Sequence, residues 1–386
     1  RVQVFILPYH AESKLTSQGR QLATIMQRHV LFAALKYPSI AIEELTVTGN
    51  SCDVEHVEQR VMPRLNQGQV AIFLWGRLFE QGSVIRLQSS VVFMSKGTQD
   101  TLAWTVAEGE ASKVSATVPS DPVVFAARSI PLSFLEALQS AQAEARRLHR
   151  APDSNSPFWE LPQSPDARFG FEVVETKNDW MHVRLLPGGG DGWVPAHALA
   201  TADDLKGAFP ELYFVDGLIG YHQLLANDNV RSSSIRQRVI DGALASFDQY
   251  IQLSEGRAES DARALAAILK GNTRLRGETN ERWSLDALKS AQREYREAER
   301  LSPTSTTASS FYLACTSALC NRGECAEGTQ QLHDHFLAAV ARDPSDRQLL
   351  NNLSVFYAAA ESGKFKVELK HQSIAEQRAI VERAAK

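Results

Sequence analysis

The stretch "ALKSAQREYREAERLSP" (residues 287–303) predicts how the C-terminal part of the chain folds. Ala291, Tyr295 and Ala298 recur in it at helical spacing, and Pro303 closes it. Small alanines let two helices approach closely, an aromatic ring fills the groove between them, and a proline ends a helix. The stretch is therefore expected to form one helix of a packed pair.

The same frame returns downstream at Phe336, Ala339 and Pro344, with Leu332 in the place of the first alanine. The residue types and spacings resemble the second helix of a tetratricopeptide repeat. Strand patterns disappear after residue 211. The resemblance implies an array of about four degenerate helical repeats, which we expect over residues 205–386.

Upstream of the helices, the pattern changes to short strands over residues 157–200. In "DWMHVRLLPGGGDGWVPAHAL" (179–199), glycines join two strands and allow the positive φ that tight hairpins need. A phosphate-binding loop would need a helix directly after the glycines, and a strand follows instead. The motif around Trp180, Gly192 and Trp193 resembles a bacterial Src-homology-three-type barrel. The resemblance implies a five-stranded barrel in which Trp180 and Trp193 either pack the core or contact a peptide or glycan, with Trp193 at least half buried.

Residues 1–130 alternate strand and helix signals. The apolar run "VQVFILPY" (2–9) indicates a strand buried on both faces, and "VAIFLWGRLFEQGSVIRLQSSVVFM" (70–94) indicates a hairpin. Residues 96–130 are expected to add edge strands to the same small mixed sheet. With these two stretches, residues 1–95 resemble the N-terminal domains of TolB-type and curli-secretion-type periplasmic proteins, which implies an envelope protein and a protein-binding domain. A helix and a linker (131–156) are expected to follow, so the chain is predicted to be a multidomain α+β protein.

The predicted helical array offers a surface for a partner protein, because stacked repeats line a concave face that suits an extended peptide or a helix. Asn351 is the favoured contact, since a carboxamide offers both a donor and an acceptor to a peptide backbone. Tyr221 and His222 are expected to act in the same way at the start of the array. The alternative is that the groove is buried against the barrel of the same chain. Counted from Pro344, the inward positions are Gln348, Asn351, Val355, Ala358 and Ala359.

Composition limits the function classes. The 386 residues have a formal net charge of −4 and 44% hydrophobic residues, which is typical of several folded domains and gives no reason to expect nucleic-acid binding. No apolar run is long enough to span a bilayer, so no transmembrane segment is predicted. The sequence also lacks a dinucleotide motif, a phosphate loop and a nucleophile elbow. We therefore predict no cofactor and no catalytic residue.

Cys315, Cys320 and Cys325 follow one another at four-residue gaps. Zinc sites favour Cys-x-x-Cys pairs, so the spacing disfavours a metal and none is predicted. Buried thiols and a disulfide between Cys320 and Cys325 are the two other interpretations, because these two flank a turn between helices. His333 and His335, further along, are expected to be exposed polar residues on different sides of a helix.

The leading hypothesis is a non-catalytic scaffold or assembly factor of the bacterial cell envelope that binds a partner protein through its helical repeats. The chain is then periplasmic or associated with the envelope or cell wall. One alternative is a cytoplasmic sensor or regulatory subunit that acts with a separate enzyme. Another is a peptidoglycan-acting protein. A signal or lipoprotein peptide upstream of Arg1 would favour the envelope.

Overall fold

The structure is a computed structural model of the chain. It describes residues 2–7, 9–11, 40–43, 69–81, 84–95, 100–106, 113–131, 146–161, 170–186, 190–195, 208–225, 233–256, 259–278, 283–326, 328–369 and 373–385, and residues 15, 18, 19, 22, 23, 26, 30, 63, 65, 133, 134 and 144 between them. The amphipathic pattern of residues 53–65 predicts a helix, but this segment lies almost entirely outside the described residues.

The strands of the described residues are β1 (Val2–Ile6), β2 (His10–Ala11), β3 (Ile40–Glu43), β4 (Val70–Gln81), β5 (Val84–Ser95), β6 (Thr101–Thr105), β7 (Lys113–Thr117), β8 (Val123–Val124), β9 (Arg128–Pro131), β10 (Arg147–His149), β11 (Phe158–Glu160), β12 (Gly170–Lys177), β13 (Trp180–Leu186) and β14 (Asp191–Pro195). The helices after residue 210 are α1 (Glu211–Leu225), α2 (Ser233–Leu253), α3 (Ser260–Gly277), α4 (Leu285–Leu301), α5 (Thr306–Asn321), α6 (Thr329–Arg342), α7 (Arg347–Glu361) and α8 (Ile374–Ala384). Strands thus give way to helices where the sequence predicts, and the α+β class is confirmed.

The chain forms two compact units. The first comprises Arg1–Lys96, Pro122–Ile235 and Gln252–Gly256, and the second comprises Gly97–Asp121, Arg236–Ile251 and Arg257–Lys386. The four segments predicted from the sequence are therefore distributed over two units. Most of the helices belong to the second unit, but α1 belongs to the first.

A seven-stranded mixed sheet forms the centre of the first unit, in the order β3-β1-β4-β5-β8, with β2 also paired to β4 and β9 to β5. β1 runs parallel to both neighbours, while β4 and β5 form the predicted antiparallel hairpin. Phe5 and Phe73 stack at 5.1 Å between adjacent strands, which explains the nearly continuous apolar sequence of β1 and β4. The predicted mixed sheet is therefore present.

The first unit also contains a five-stranded antiparallel sheet in the order β11-β10-β14-β13-β12. Its core consists of Leu148, Leu161, Val183 and Val194. The prediction placed this sheet in residues 157–200 and residue 148 at the end of a helix, and that placement is wrong. β10 starts the sheet at Arg147, because Leu148 supplies a core side chain between two outward-facing neighbours.

The second unit is built from packed helices that follow the predicted frame. Ala291, Tyr295 and Ala298 of α4 are fully buried. A Cβ added at Gly271 of α3 would lie 2.4 Å from the Tyr295 ring, so only glycine permits this close approach of the two helices. Ser284 caps α4 by accepting a hydrogen bond from the Ala287 backbone N–H. The tetratricopeptide assignment remains a resemblance.

The β6–β7 hairpin is not part of the seven-stranded sheet, contrary to the prediction for residues 96–130. The two strands form a separate antiparallel sheet in the second unit and pack on α5 and α7. Trp104 is 1% exposed, and its ring contacts those of Trp283, Tyr295 and Phe311 at centroid distances of 5.7, 6.3 and 6.1 Å. The hairpin alternates between exposed and buried side chains, and its buried face belongs to the core of the helical unit. The buried residues are Leu102, Trp104, Val106, Val114, Ala116 and Val118.

The turn between α5 and α6 contains a disulfide between Cys320 and Cys325, whose Cα atoms lie 4.1 Å apart. Cys315 is buried as a free thiol, and its burial raises its pKa. Of the interpretations left open by the spacing, the disulfide therefore applies to one pair and the buried thiol to the third cysteine. In the described part of the chain, no helix is both long and apolar enough to cross a bilayer.

Candidate functional site

Two carboxamide side chains of α7, in the second unit, form hydrogen bonds with the β6–β7 hairpin. Asn352 Oδ1 accepts a hydrogen bond from the Ser115 N–H at 2.8 Å, and Asn352 Nδ2 donates to the Ser115 carbonyl at 2.6 Å. One turn earlier, Gln348 Oε1 accepts from the Thr117 N–H at 3.1 Å, and its Nε2 donates to Thr117 Oγ1 at 2.9 Å. These two amides therefore take the place of a further strand along the outer edge of β7.

The opposite edge of the hairpin is contacted in the same way. Arg276, in the last turn of α3, donates to the Thr101 carbonyl at 3.1 Å, and Asn321, at the end of α5, donates to the Thr105 carbonyl at 3.5 Å. The Arg276 guanidinium also lies 3.4 Å from the Asp100 carboxylate. Helix side chains thus satisfy carbonyl groups on β6 that would otherwise need water or another strand.

The predicted partner-binding positions on α7 differ in their burial and in their contacts. Gln348 is engaged by the chain's own hairpin, and Asn351, expected to matter most, is exposed. The neighbouring Asn352 binds the Ser115 backbone of the same chain, and the partner contact expected of Asn351 stays a prediction. Val355 and Ala358 are part-buried and Ala359 is fully buried. Within the second unit, one of the five predicted positions, Gln348, thus binds the chain's own hairpin.

Tyr221 and His222 do not lie in the helical array. They belong to α1 of the first unit, where both are buried. The His222 ring lies 5.2 Å from that of Phe93 on β5. Almost every residue of α1 is buried, so the helical pattern there reflects a core helix, and the prediction that these two residues open the partner groove is wrong.

We expect Asn352→Ala to lower the free energy of unfolding of the second unit by about 1–3 kcal/mol, because the Ser115 backbone loses both its donor and its acceptor. Asn351→Ala, one residue away on an exposed position, is the matched control and should change stability by less than about 0.5 kcal/mol. Urea unfolding followed by circular dichroism measures both. Equal effects of the two variants would contradict this assignment of the backbone contact.

His333 and His335 are not simple exposed residues. His333 is buried, and its Nε2 lies 2.9 Å from the Tyr357 hydroxyl. Burial lowers the pKa of His333, partly offset by the nearby Asp334 carboxylate. His335 lies 3.0 Å from Glu299 and is only partly exposed. Both histidines therefore fasten α6 to neighbouring helices, which corrects the expectation of two solvent-exposed side chains.

A cluster of aromatic rings, which we call the aromatic face, lies on the five-stranded sheet of the first unit. Cross-strand pairing places Phe158 opposite His149, His149 opposite Trp193, and Trp193 opposite His182. Their neighbours Leu148, Val183 and Val194 point into the core, so this row lies on the other side of the sheet. Trp180 joins it, with its ring 5.1 Å from that of His149.

The rings of the aromatic face are in contact with one another, and they range from buried (His149) to exposed (Phe158). His182 and Trp193 stack at 5.0 Å, and Phe158 lies 5.3 Å from His149. Phe158 is 47% exposed, while Trp180, Trp193 and His182 are part-buried. Trp193 is therefore mostly covered, as the sequence predicts, although it lies opposite the core residues and not among them.

Charged groups flank this row of rings. The Arg147 guanidinium lies 5.1 Å from the centre of the Phe158 ring, which is within cation–π range. At the other end, His182 Nε2 lies 2.8 Å from the exposed Asp191 carboxylate. Trp180 and Trp193 were identified from the sequence, whereas Phe158, His149 and His182 were not. The two-residue periodicity around Leu148, Val183 and Val194 is the signal that would have grouped them.

A buried polar cluster in the first unit connects the sheet to α1. Ser89 donates to Glu211 at 2.6 Å, Arg128 pairs with the same carboxylate at 2.6 Å, and the Tyr9 hydroxyl lies 2.9 Å from Ser89 Oγ. Burial, followed by the Glu211 charge, raises the pKa of Tyr9 well above its usual range. Because Tyr9, Ser89 and Glu211 are all buried, the cluster is suited to fixing the start of α1 against the sheet.

Within the described residues, no group of three or more His, Cys, Asp or Glu side chains could hold a metal ion. No protein-family model, curated protein or solved structure matches the chain at a significant level of similarity.

Proposed function

We propose that this chain is a non-catalytic protein-interaction scaffold of the bacterial cell envelope and that its aromatic face binds the partner. The observation that carries the proposal is the row of contacting rings formed by Phe158, Trp180, Trp193 and His182, in which Phe158 is exposed and the other three are part-buried. Aromatic residues are enriched in interfaces because they bury a large apolar area while losing little side-chain freedom. A partner that covers this row would remove from water a ring that is 47% exposed in the free chain.

The other interaction surface inferred from the sequence, the concave side of the helices, is already occupied by the β6–β7 hairpin. An incoming segment would have to replace the hydrogen bonds that Gln348 and Asn352 make to β7. It would also have to replace the packing of Trp104. The aromatic face carries no such cost, so it supports partner binding better than the groove does.

The disulfide between Cys320 and Cys325 supports the envelope part of the proposal. Disulfides persist in the periplasm and other oxidising compartments, whereas reducing systems remove them in the cytosol. Mass spectrometry of the protein, alkylated directly in intact cells, shows whether Cys320 and Cys325 are bridged there. A bridged pair supports the envelope, and two alkylated thiols would instead support the alternative of a cytoplasmic regulatory subunit.

A photo-crosslinking amino acid at position 158 tests the aromatic face in living cells. We expect a covalent adduct with a protein at this position. The matched control carries the same photo-crosslinker at Phe79, which is 40% exposed in the same unit but lies outside the aromatic face. Equal labelling at both positions, or none at position 158, would refute the proposed site. An adduct with cell-wall glycan would favour a peptidoglycan-acting protein.

The Trp193→Ser variant completes the test. This substitution removes the ring that stacks on His182, and we expect it to abolish the adduct formed at position 158. Circular dichroism must show that the variant is folded at the temperature of the experiment. Asp179→Ser, at an exposed position in the turn between β12 and β13, serves as the control and should leave the adduct unchanged.

A further inference from the structure

The β6–β7 hairpin is covalently attached to one unit and packed in the other. Strands β5 and β8, which precede and follow it in the chain, belong to the first unit, whereas Gly97–Asp121 belongs to the second. Among the described strands, β6 and β7 pair with each other and add no strand to the seven-stranded sheet. Moving the hairpin as a whole would therefore break no strand pairing in the first unit.

The hairpin is held by groups that every copy of this chain carries. Gln348 and Asn352 contact the outer edge of β7, Arg276 contacts the outer edge of β6, and a cage of aromatic rings surrounds Trp104. If two copies exchange hairpins, each of these contacts is replaced by an identical one. The contacts thus select the β6–β7 hairpin as the segment that the helices bind. They do not determine whether the hairpin comes from the same copy or from another one.

The connector after β7 is suited to such an exchange. Ser120, Asp121 and Pro122 are exposed, and the connector contains Pro119 as well. Each proline fixes its own φ and restricts the preceding residue to extended conformations. The two prolines therefore favour an extended connector between the hairpin and β8.

From these observations we infer that the β6–β7 hairpin is an exchangeable arm and that its partner surface is the helical unit of a second copy of this chain. The result is a dimer in which each copy inserts its hairpin between the helices of the other. This interaction is separate from the proposed partner site on the aromatic face, so either can fail without the other.

Two full-length variants test the exchange, one with Thr117→Cys and the other with Gln348→Cys. These side chains meet at 2.9 Å. The two variants are co-expressed and treated with a short bis-maleimide. We expect a product with the mass of two chains, because the two new thiols meet only when a hairpin lies in the helices of another copy. The unsubstituted protein, treated in the same way, gives the background from its own cysteines.

A matched control replaces Gln348→Cys by Arg347→Cys, which is adjacent on α7 but exposed, and this pair should give no dimer product above background. The double variant Thr117→Cys/Gln348→Cys, with both cysteines in one chain, tests whether the hairpin stays in its own copy. If that chain crosslinks only within itself and the co-expressed pair gives no dimer product, the hairpin stays in its own copy and the inference is overturned.

Light scattering of the unsubstituted chain over a range of concentrations provides an independent readout. We expect a dimer fraction that rises with concentration and that falls at least about twofold when Pro119→Gly and Pro122→Gly relax the connector. A monomer at all concentrations overturns the inference. A dimer without the crosslinked product would show an interface elsewhere on the chain and would overturn it equally.

Discussion

Trp104→Ala should lower the free energy of unfolding of the second unit by about 3–5 kcal/mol, the range measured for removal of a fully buried aromatic side chain. The ring is 1% exposed and meets the rings of Trp283, Tyr295 and Phe311. Its loss leaves a cavity between hairpin and helices that neither can fill without breaking the backbone contacts at the hairpin edges. Urea unfolding followed by the helical circular dichroism signal measures the effect.

Thr105→Ala is the control for this prediction, since Thr105 is the next residue of β6 and its side chain is exposed. It should change the stability by less than about 0.5 kcal/mol. Similar behaviour of the two variants would mean that the hairpin is only loosely attached to the helices.

The packing of the hairpin also has a consequence for fragments of the chain. A chain that begins at residue 205 lacks the hairpin, so we expect it to lose helical structure relative to the full chain.

The second large effect is expected from the ion pair between Arg128 and Glu211. Glu211 is 1% exposed, and Arg128 also donates to the Ala208 carbonyl at 3.0 Å. Arg128→Ala leaves the Glu211 charge buried without its cation, and we expect a loss of about 3–5 kcal/mol in the stability of the first unit. Thermal unfolding followed by tryptophan fluorescence, to which Trp75, Trp159, Trp180 and Trp193 of this unit contribute four of the six tryptophans, measures the loss.

Two variants separate a buried charge from a general effect of losing arginine. Arg147→Ala removes one member of an exposed pair, Arg147–Glu160 at 3.3 Å, and should cost less than about 1 kcal/mol. The double substitution Arg128→Met with Glu211→Leu removes both charges and should recover most of the stability lost in Arg128→Ala. A double variant as unstable as Arg128→Ala would contradict the explanation by an uncompensated charge.

Local sequence patterns predicted the helices and strands better than they predicted which elements pack against each other. The frame of Ala291, Tyr295 and Ala298 depends on neighbours within one helix, and all three residues are buried as expected. The alternation in β6 and β7 correctly indicates strands, but alternation does not identify the surface that covers the apolar side. The hydrogen bond between Ser115 and Asn352 joins residues 237 positions apart, and no local signal reports such a pairing.

The error between Asn351 and Asn352 has a simple geometric cause. Neighbouring residues of a helix differ by about 100° in direction, so a phase counted one position too early moves the expected side chain from a buried face to an exposed one. The helix begins at Arg347, directly after its cap Asp346, and counting from that cap would have given the correct phase. The contact that a carboxamide of this helix makes within the chain therefore comes from Asn352 and not from Asn351.

The distance along the chain between the hairpin and its helices has a consequence for synthesis on the ribosome. At about 5–20 residues per second, the 237 residues between Ser115 and Asn352 take roughly 10–50 s to be added. Until α4 and α5 have been made, the apolar side of the hairpin, with Trp104 at its centre, has no helix to cover it, and the edge of β7 lacks Asn352 for the whole interval. A nascent chain in the cytosol would need a chaperone over this interval. A chain that is kept unfolded until its synthesis is complete avoids this exposure, because hairpin and helices are then available together when folding begins.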